Sequence, residues 1–302
     1  MKLLITGAWK FSNNDIKFLK TLGFDCYFQK DETIPLQKEM FDVEGVICNS
    51  LFLYNDARCF KKLKFVQLTS AGLDRIPLDY FKSNNIKVFN AAGVYSIPIA
   101  EFVMSSVLDV YKKKFEIYEQ QKKHEWKKQR DACELSNKVI CIVGCGSIGK
   151  ECAKRFKAFG CKVLGIDICS FSSDLFDKIF AISEIEKIIS LADVIVATLP
   201  LTNETRGMFN FSFFKKMKKR SPIFVNVARG ELVVTSDLIK ALENKMIGTA
   251  ILDVFDTEPL PFNSPLWEMK NVFVSPHNSY ISDLNIKRLT TLILANLKSF
   301  LV

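Results

Sequence analysis

Residues 139–167 read VICIVGCGSIGKECAKRFKAFGCKVLGID. An apolar run, 139–143, leads into three glycines spaced as Gly144, Gly146 and Gly149, then a helix-length segment, then a second apolar run ending at Asp167. A strand, a tight glycine turn, a helix and a parallel strand make one βαβ unit. The glycines let the turn close and let the backbone approach a pyrophosphate, whose charge is met by the amides of Ser147 and Ile148 at the helix start. Asp167 stands 18 residues after Gly149, where a carboxylate accepts from adenosine ribose hydroxyls and repels a 2′-phosphate; Ile168 and Cys169 offer no arginine in its place. The expected cofactor is therefore NAD (NADH) rather than NADP.

The same alternation runs outward in both directions. Before this unit, β-rich runs fall near 2–6, 24–28, 44–48, 64–68 and 86–89; after it they fall near 162–166, 193–197, 222–226, 248–252 and 271–274. Helix-length amphipathic segments separate them, the pattern of parallel α/β sheets. A long helix is expected from Ser96, read as its N-cap, with Pro98 in the first turn and Ile99, Val103, Val107 and Val110 on one face. A last apolar-periodic segment, 281–301, has no strand after it and is expected to return to the first half. The reading is α/β with two doubly wound parallel-sheet domains: a Rossmann domain over 97–280 inserted in a flavodoxin-like domain formed by 1–96 and 281–302.

At 302 residues, 48% hydrophobic and 25% charged, the chain is globular in composition, with no run long enough to span a bilayer, and its first residues read as a strand rather than as a secretory leader. Nine scattered cysteines without a CxxC pair point to a reducing, cytoplasmic setting. Two histidines, His124 and His277, leave little to build a metal site, and none is expected. The net charge of +9 is partly local: residues 111–130 hold eight basic side chains against three acidic ones. This reads as a solvated helix end rather than a nucleic-acid surface, which would call for base-reading groups and show steep salt dependence. His124 lies within that run and reads as a solvent-exposed histidine.

A nicotinamide site calls for a proton donor at the atom left charged by hydride transfer and for a cation to hold an anionic substrate beside the hydride source. His277 follows the strand at 271–274 at its C-terminal end, where ligands gather in open α/β sheets. Glu258, in DTEP, is the candidate carboxylate to orient its ring, although 19 positions separate the two and only the fold can bring them together. Arg229, in VNVARG, has the planar fork that suits a carboxylate, and Gly230 beside it allows close backbone approach.

With GCGSIG, the segments TSAGLD (69–74), LPLTNET (199–205), VNVARGELV (225–233), ILDVFDTEPLP (251–261), SPLW (264–267) and NVFVSPHNS (271–279) follow one another along the chain. Together they resemble the D-isomer-specific 2-hydroxyacid dehydrogenase family, across the second half and more loosely from about residue 65. The resemblance implies NAD-dependent reduction of a small 2-oxo acid to the 2-hydroxy acid, with Arg229, Glu258 and His277 as the catalytic set. It also implies cofactor contacts at Pro200, Thr205, Val227 and Asp253, amides of Ala71 and Gly72 on the substrate carboxylate, and a homodimer formed through the helix from Ser96 and its basic continuation. Pro98 departs from the family's usual small residue and leaves the cofactor contact there open.

Side-chain preference is expected from the loop at 49–54, NSLFLY, with Leu51 as a contact and Tyr280 closing from the other side. No arginine or lysine lies in that loop, so the expected substrate has a small or apolar, unphosphorylated side chain. The stretch after His277 reads as too short for the regulatory domain of some phosphoglycerate dehydrogenases. Enzymes of this fold acting on formate or phosphite, and an NAD-binding corepressor-type regulatory protein, stand as alternatives.

Overall fold

Apolar runs of three to six residues form the strands, and amphipathic helices cover them, so the central strands are buried on both faces. The computed structural model describes residues 1–217 and 221–301. The chain divides into two compact units, Met1–Tyr95 with Ser282–Val302, and Ser96–Ile281.

In the first unit β1 (Lys2–Thr6), α1 (Asn13–Thr21), β2 (Asp25–Gln29), β3 (Gly45–Cys48), α2 (Leu51–Tyr54), β4 (Phe65–Leu68), α3 (Leu78–Ser83) and β5 (Lys87–Phe89) follow in order. The sheet order is β2-β1-β3-β4-β5 with every pair parallel, the flavodoxin-like arrangement. Ser12 starts α1 through a capping box, its hydroxyl accepting from the Asp15 amide while the Asp15 carboxylate accepts from the Ser12 amide.

The second unit contains α4 (Ser96–Tyr111), α5 (Lys114–Lys122), β6 (Val139–Val143), α6 (Ser147–Ala158), β7 (Lys162–Asp167), β8 (Lys178–Ala181), α7 (Ile185–Ile189), β9 (Val194–Ala197), α8 (Phe211–Lys215), β10 (Ile223–Asn226), α9 (Thr235–Glu243), β11 (Thr249–Leu252) and β12 (Val272–Val274). Its seven parallel strands run β12-β11-β10-β9-β6-β7-β8, a Rossmann sheet with one added edge strand. The order reverses between β6 and β9, which opens the crevice at their C-terminal ends.

The chain then returns to the first unit as α10 (Asn285–Phe300). Its Leu289, Ile293 and Leu297 are buried with Leu3, Ile5 and Trp9. Two polar contacts fix its register: Trp9 Nε1 donates to Thr290 Oγ1 at 3.0 Å, and Asn296 Nδ2 donates to Gln67 Oε1 at 2.8 Å.

Two local features differ from the sequence reading. β8 was not anticipated: KIFA is a short edge strand with incomplete burial, too brief to stand out after the exposed loop that precedes it. Ser96 is the first residue of α4 and is buried, so it does not act as a cap preceding the helix.

Candidate active site

Because every strand of the second unit is parallel, the turns after β6, β7, β9, β10, β11 and β12 all leave from one edge of the sheet. Those turns hold the glycine loop, Pro200, Arg229, Asp253 and His277, and Asp167 is the last residue of β7 at the same edge.

The glycine loop has little room for side chains. Gly144 takes φ +100°, and a Cβ there would fall 2.7 Å from the Leu199 amide nitrogen; one on Gly149 would fall 2.1 Å from the Gly144 carbonyl oxygen. At Gly146, by contrast, a Cβ would meet nothing within 4 Å, so this glycine keeps open the space in front of α6. Gly146 is the N-cap of that helix and provides no side-chain bond, which leaves the amides at Ser147, Ile148 and Gly149 facing that space. These features fit a dinucleotide's pyrophosphate. The Asp167 carboxylate accepts from the Cys145 amide at 2.8 Å through Oδ2 and from the Ile168 amide at 2.8 Å through Oδ1. It therefore braces the loop, and each oxygen keeps lone-pair capacity for ribose hydroxyls. Cys145 is buried beneath the loop, and its thiol is pushed up to about 12 by burial and then by the Asp167 charge, so at neutral pH it is an inert thiol.

On the other side of the crevice Thr205 is committed within its own turn, donating to Pro200 O at 2.8 Å and accepting from the Thr202 amide at 2.8 Å. Pro200 is exposed and Val227 is buried just past β10.

His277 Nδ1 and Glu258 Oε2 are 2.8 Å apart, and the Phe255 amide donates to Glu258 Oε1 at 3.0 Å, so the carboxylate is held at both oxygens. The His277 backbone, at φ +53°, donates to Asp253 O at 2.8 Å. Its ring meets that of Tyr280 edge-on, with centroids 6.0 Å apart. Asp253 is fully buried, and its carboxylate accepts from the amides of Asn278 at 2.8 Å and Ser279 at 3.1 Å. That carboxylate fixes the loop bearing the histidine, a task the sequence reading did not assign to it. The Arg229 loop also rests on backbone: Gly230 lies against the Phe255 carbonyl, and Arg229 Nη1 donates to Ala228 O at 2.8 Å.

Of the first-unit residues, Leu51 requires a correction. It is fully buried among Val46, Cys48, Phe60 and Phe81, and the exposed members of its loop are Leu53 and Tyr54. α2 begins at Leu51, and its first turn points that side chain into the core. The amides of Ala71 and Gly72 have no acceptor among the described residues, while Ala71 O accepts from Asn90 Nδ2 at 2.7 Å. Arg75, missed in the sequence because it lies outside 49–54, donates to Ser50 Oγ at 3.3 Å and forms no salt bridge among the described residues. No arginine or lysine lies within 49–54 itself, but Arg75 stands beside that loop. Glu32 was missed as well; its carboxylate accepts from the amides of Asn49 and Ser50 and from Thr6 Oγ1.

In the basic run, Lys113 pairs with Glu116 and Asp131, Lys122 with Glu119 and Lys127 with Glu125, as a solvated face does. Among the described residues no helix is long and apolar enough to cross a membrane, and no group of three His, Cys, Asp or Glu could hold a metal.

A family model described as D-isomer specific 2-hydroxyacid dehydrogenase, NAD binding domain, matches residues 104–279. The chain is 30% identical to a glyoxylate reductase of Korarchaeum cryptofilum, over 92% of this chain and 86% of the relative. It is also 30% identical to a hydroxypyruvate reductase of Blautia hydrogenotrophica, over 100% and 97%. A solved D-lactate dehydrogenase from Aquifex aeolicus, complexed with NAD and lactic acid, superposes with a TM-score of 0.80 at 25% identity, covering 99% of this chain and 95% of that one. The chain belongs to the D-isomer-specific 2-hydroxyacid dehydrogenase family. It is an NAD-dependent oxidoreductase acting on CH–OH groups, with NAD(H) as its cofactor.

Proposed function

We propose that the protein reduces a small, unphosphorylated 2-oxo acid, with His277 as proton donor, Glu258 as its orienting carboxylate and Arg229 as the carboxylate-binding cation. The observation that carries this reading is the 2.8 Å contact between His277 Nδ1 and Glu258 Oε2, on a carboxylate already anchored by the Phe255 amide. With Nδ1–H given to Glu258, Nε2 is the nitrogen left to protonate the carbonyl oxygen. Bound NADH supplies the hydride to the carbonyl carbon. The Arg229 fork grips the substrate carboxylate and polarises the adjacent carbonyl. Asp167, Gly144, Gly146 and Gly149, with the first turn of α6, hold the dinucleotide, and Val227, Pro200, Thr205 and Asp253 line its nicotinamide end. The amides of Ala71 and Gly72 are the further substrate donors, supported by their lack of an acceptor among the described residues. Tyr280, beside the His277 ring, borders the pocket.

Relatives named for glyoxylate and hydroxypyruvate favour a short side chain, and Arg75 extends the range to one bearing a C3 hydroxyl. We also assign a cytoplasmic homodimer. The exposed Phe115, Ile117, Tyr118 and Trp126, on and after α5, support the contact surface.

The test is NADH oxidation against glyoxylate, hydroxypyruvate, pyruvate, 2-oxoisocaproate and phenylpyruvate, with His277→Ala alongside. Turnover that disappears in the variant is expected. NADH binding without turnover on any acid would overturn the reading in favour of a regulatory, NAD-sensing role.

A further inference from the structure

β10 is apolar and fully buried until its last residue, Asn226, whose side chain is polar and whose exposure is 0%. A buried amide is costly unless its donor and acceptor are both satisfied. Here both are, and by the same turn: Oδ1 accepts from the Ala228 amide at 3.1 Å, and Nδ2 donates to the Arg229 carbonyl at 2.9 Å. Arg229 Nη1 in turn donates to Ala228 O at 2.8 Å, so the guanidinium lies back along the turn that Asn226 clamps. The Asn226 carbonyl accepts from the Asp253 amide at 3.0 Å, and the Asp253 carbonyl accepts from the His277 amide at 2.8 Å. One backbone chain therefore ties the Arg229 turn to the His277 turn through the ends of β10 and β11.

We propose that Asn226 is a positioning residue for Arg229, setting where the guanidinium presents its fork to the substrate carboxylate. The proposal rests on the assignment of Arg229 as the carboxylate-binding cation. Only a planar group with one acceptor and one donor, two bonds from the backbone, can close both contacts: aspartate lacks the donor, serine the reach and the second atom, and alanine everything. An interaction that fixes a reacting group to within a fraction of an ångström is read in substrate-dependent rate rather than in fold.

The experiment is a double-mutant cycle on the purified protein with NADH and the best 2-oxo acid of the panel, pairing Asn226→Ala with Arg229→Lys, and with thermal melts alongside. Asn226→Ala is expected to lower kcat/KM by about 10- to 100-fold, mostly through a raised KM, with oxamate inhibition weakened in parallel. In the Arg229→Lys background the same substitution is expected to cost less than about 3-fold, because the group it positions is already gone. Asn226→Asp, close to isosteric, keeps the Ala228 contact and sets an oxygen against the Arg229 carbonyl, so it should show the same KM effect should the alanine variant fold poorly. An equal loss in both backgrounds would mean that Asn226 only stabilises the fold, and no loss in the parent background would mean that it does nothing for Arg229; either overturns the proposal. Arg229→Lys as active as the parent would overturn the role of the arginine itself, which is a separate and recognisable failure.

Discussion

Gly230 sits so close to Phe255 that a Cβ on it would fall 1.8 Å from the Phe255 carbonyl carbon and 2.0 Å from its oxygen. The loop bearing Arg229 and the loop bearing Glu258 thus touch backbone to backbone, because the Phe255 amide is also the donor that holds Glu258 Oε1. Gly230→Ala must push these loops apart. The expected result is a loss of about 1–3 kcal/mol in stability by denaturant melt. If Arg229 and Glu258 act as proposed, a fall in kcat/KM of about 100-fold is expected with it, since a displacement near 1 Å at a reacting group costs that much. A variant with unchanged kinetics would show that the loop contact does not govern the site.

Glu258 is held by two contacts, and in the proposed mechanism only the one to His277 bears on proton transfer. Glu258→Gln keeps an acceptor for the Phe255 amide yet removes the charge beside the ring. Steady-state assays should give a kcat lowered by about 100-fold or more, with NADH binding retained. An equally active glutamine variant would sink the orienting role and leave His277 to act alone.

Most of the architecture was legible in the sequence because parallel strands buried on both faces are near-continuous apolar runs, and runs such as 139–143 and 223–225 stand out from the helices between them. The glycine spacing fixed the cofactor crevice for a steric reason, since Gly144 and Gly149 have no room for a side chain. Hidden from the sequence was the work that some residues do through a long-range hydrogen bond. Glu32 serves a loop 17 and 18 positions away, and Asp253 one 25 and 26 positions away, and neither separation has a sequence signature. Asn226 left one signal, a lone amide ending an apolar strand. Leu51 was misplaced because a run such as LFLY does not say which apolar side chain faces the core; the first turn of α2 decides it.

Asp167 has two duties, bracing Cys145 through its amide and, in the proposed role, receiving the ribose hydroxyls. The two can be separated. Asp167→Ala removes both and should weaken NADH binding by about 10-fold or more in a fluorescence titration while narrowing the gap to NADPH, because the charge opposing a 2′-phosphate is lost. Asp167→Asn retains an acceptor for the Cys145 amide and should lose less. If NADPH already bound the parent as tightly as NADH, the carboxylate would not be the discriminating group.

Arg75 is half-buried, carries five N–H donors and has a single 3.3 Å hydrogen bond, to Ser50 Oγ, among the described contacts. A partly buried cation with so little engaged is suited to take a polar group from a ligand, and its neighbour Ser50 immediately precedes Leu51 in the loop expected to set side-chain preference. Hydroxypyruvate and pyruvate differ by one hydroxyl at C3, so their kcat/KM ratio isolates that contact from everything they share. Arg75→Met keeps the length and apolar stem and should reduce the hydroxypyruvate-to-pyruvate ratio by about 10-fold, the worth of one hydrogen bond to a charged donor. The pyruvate value itself should change little. A ratio that stays constant while both rates fall would place Arg75 in the support of the 49–54 loop and return the choice of side chain to the exposed Leu53 and Tyr54.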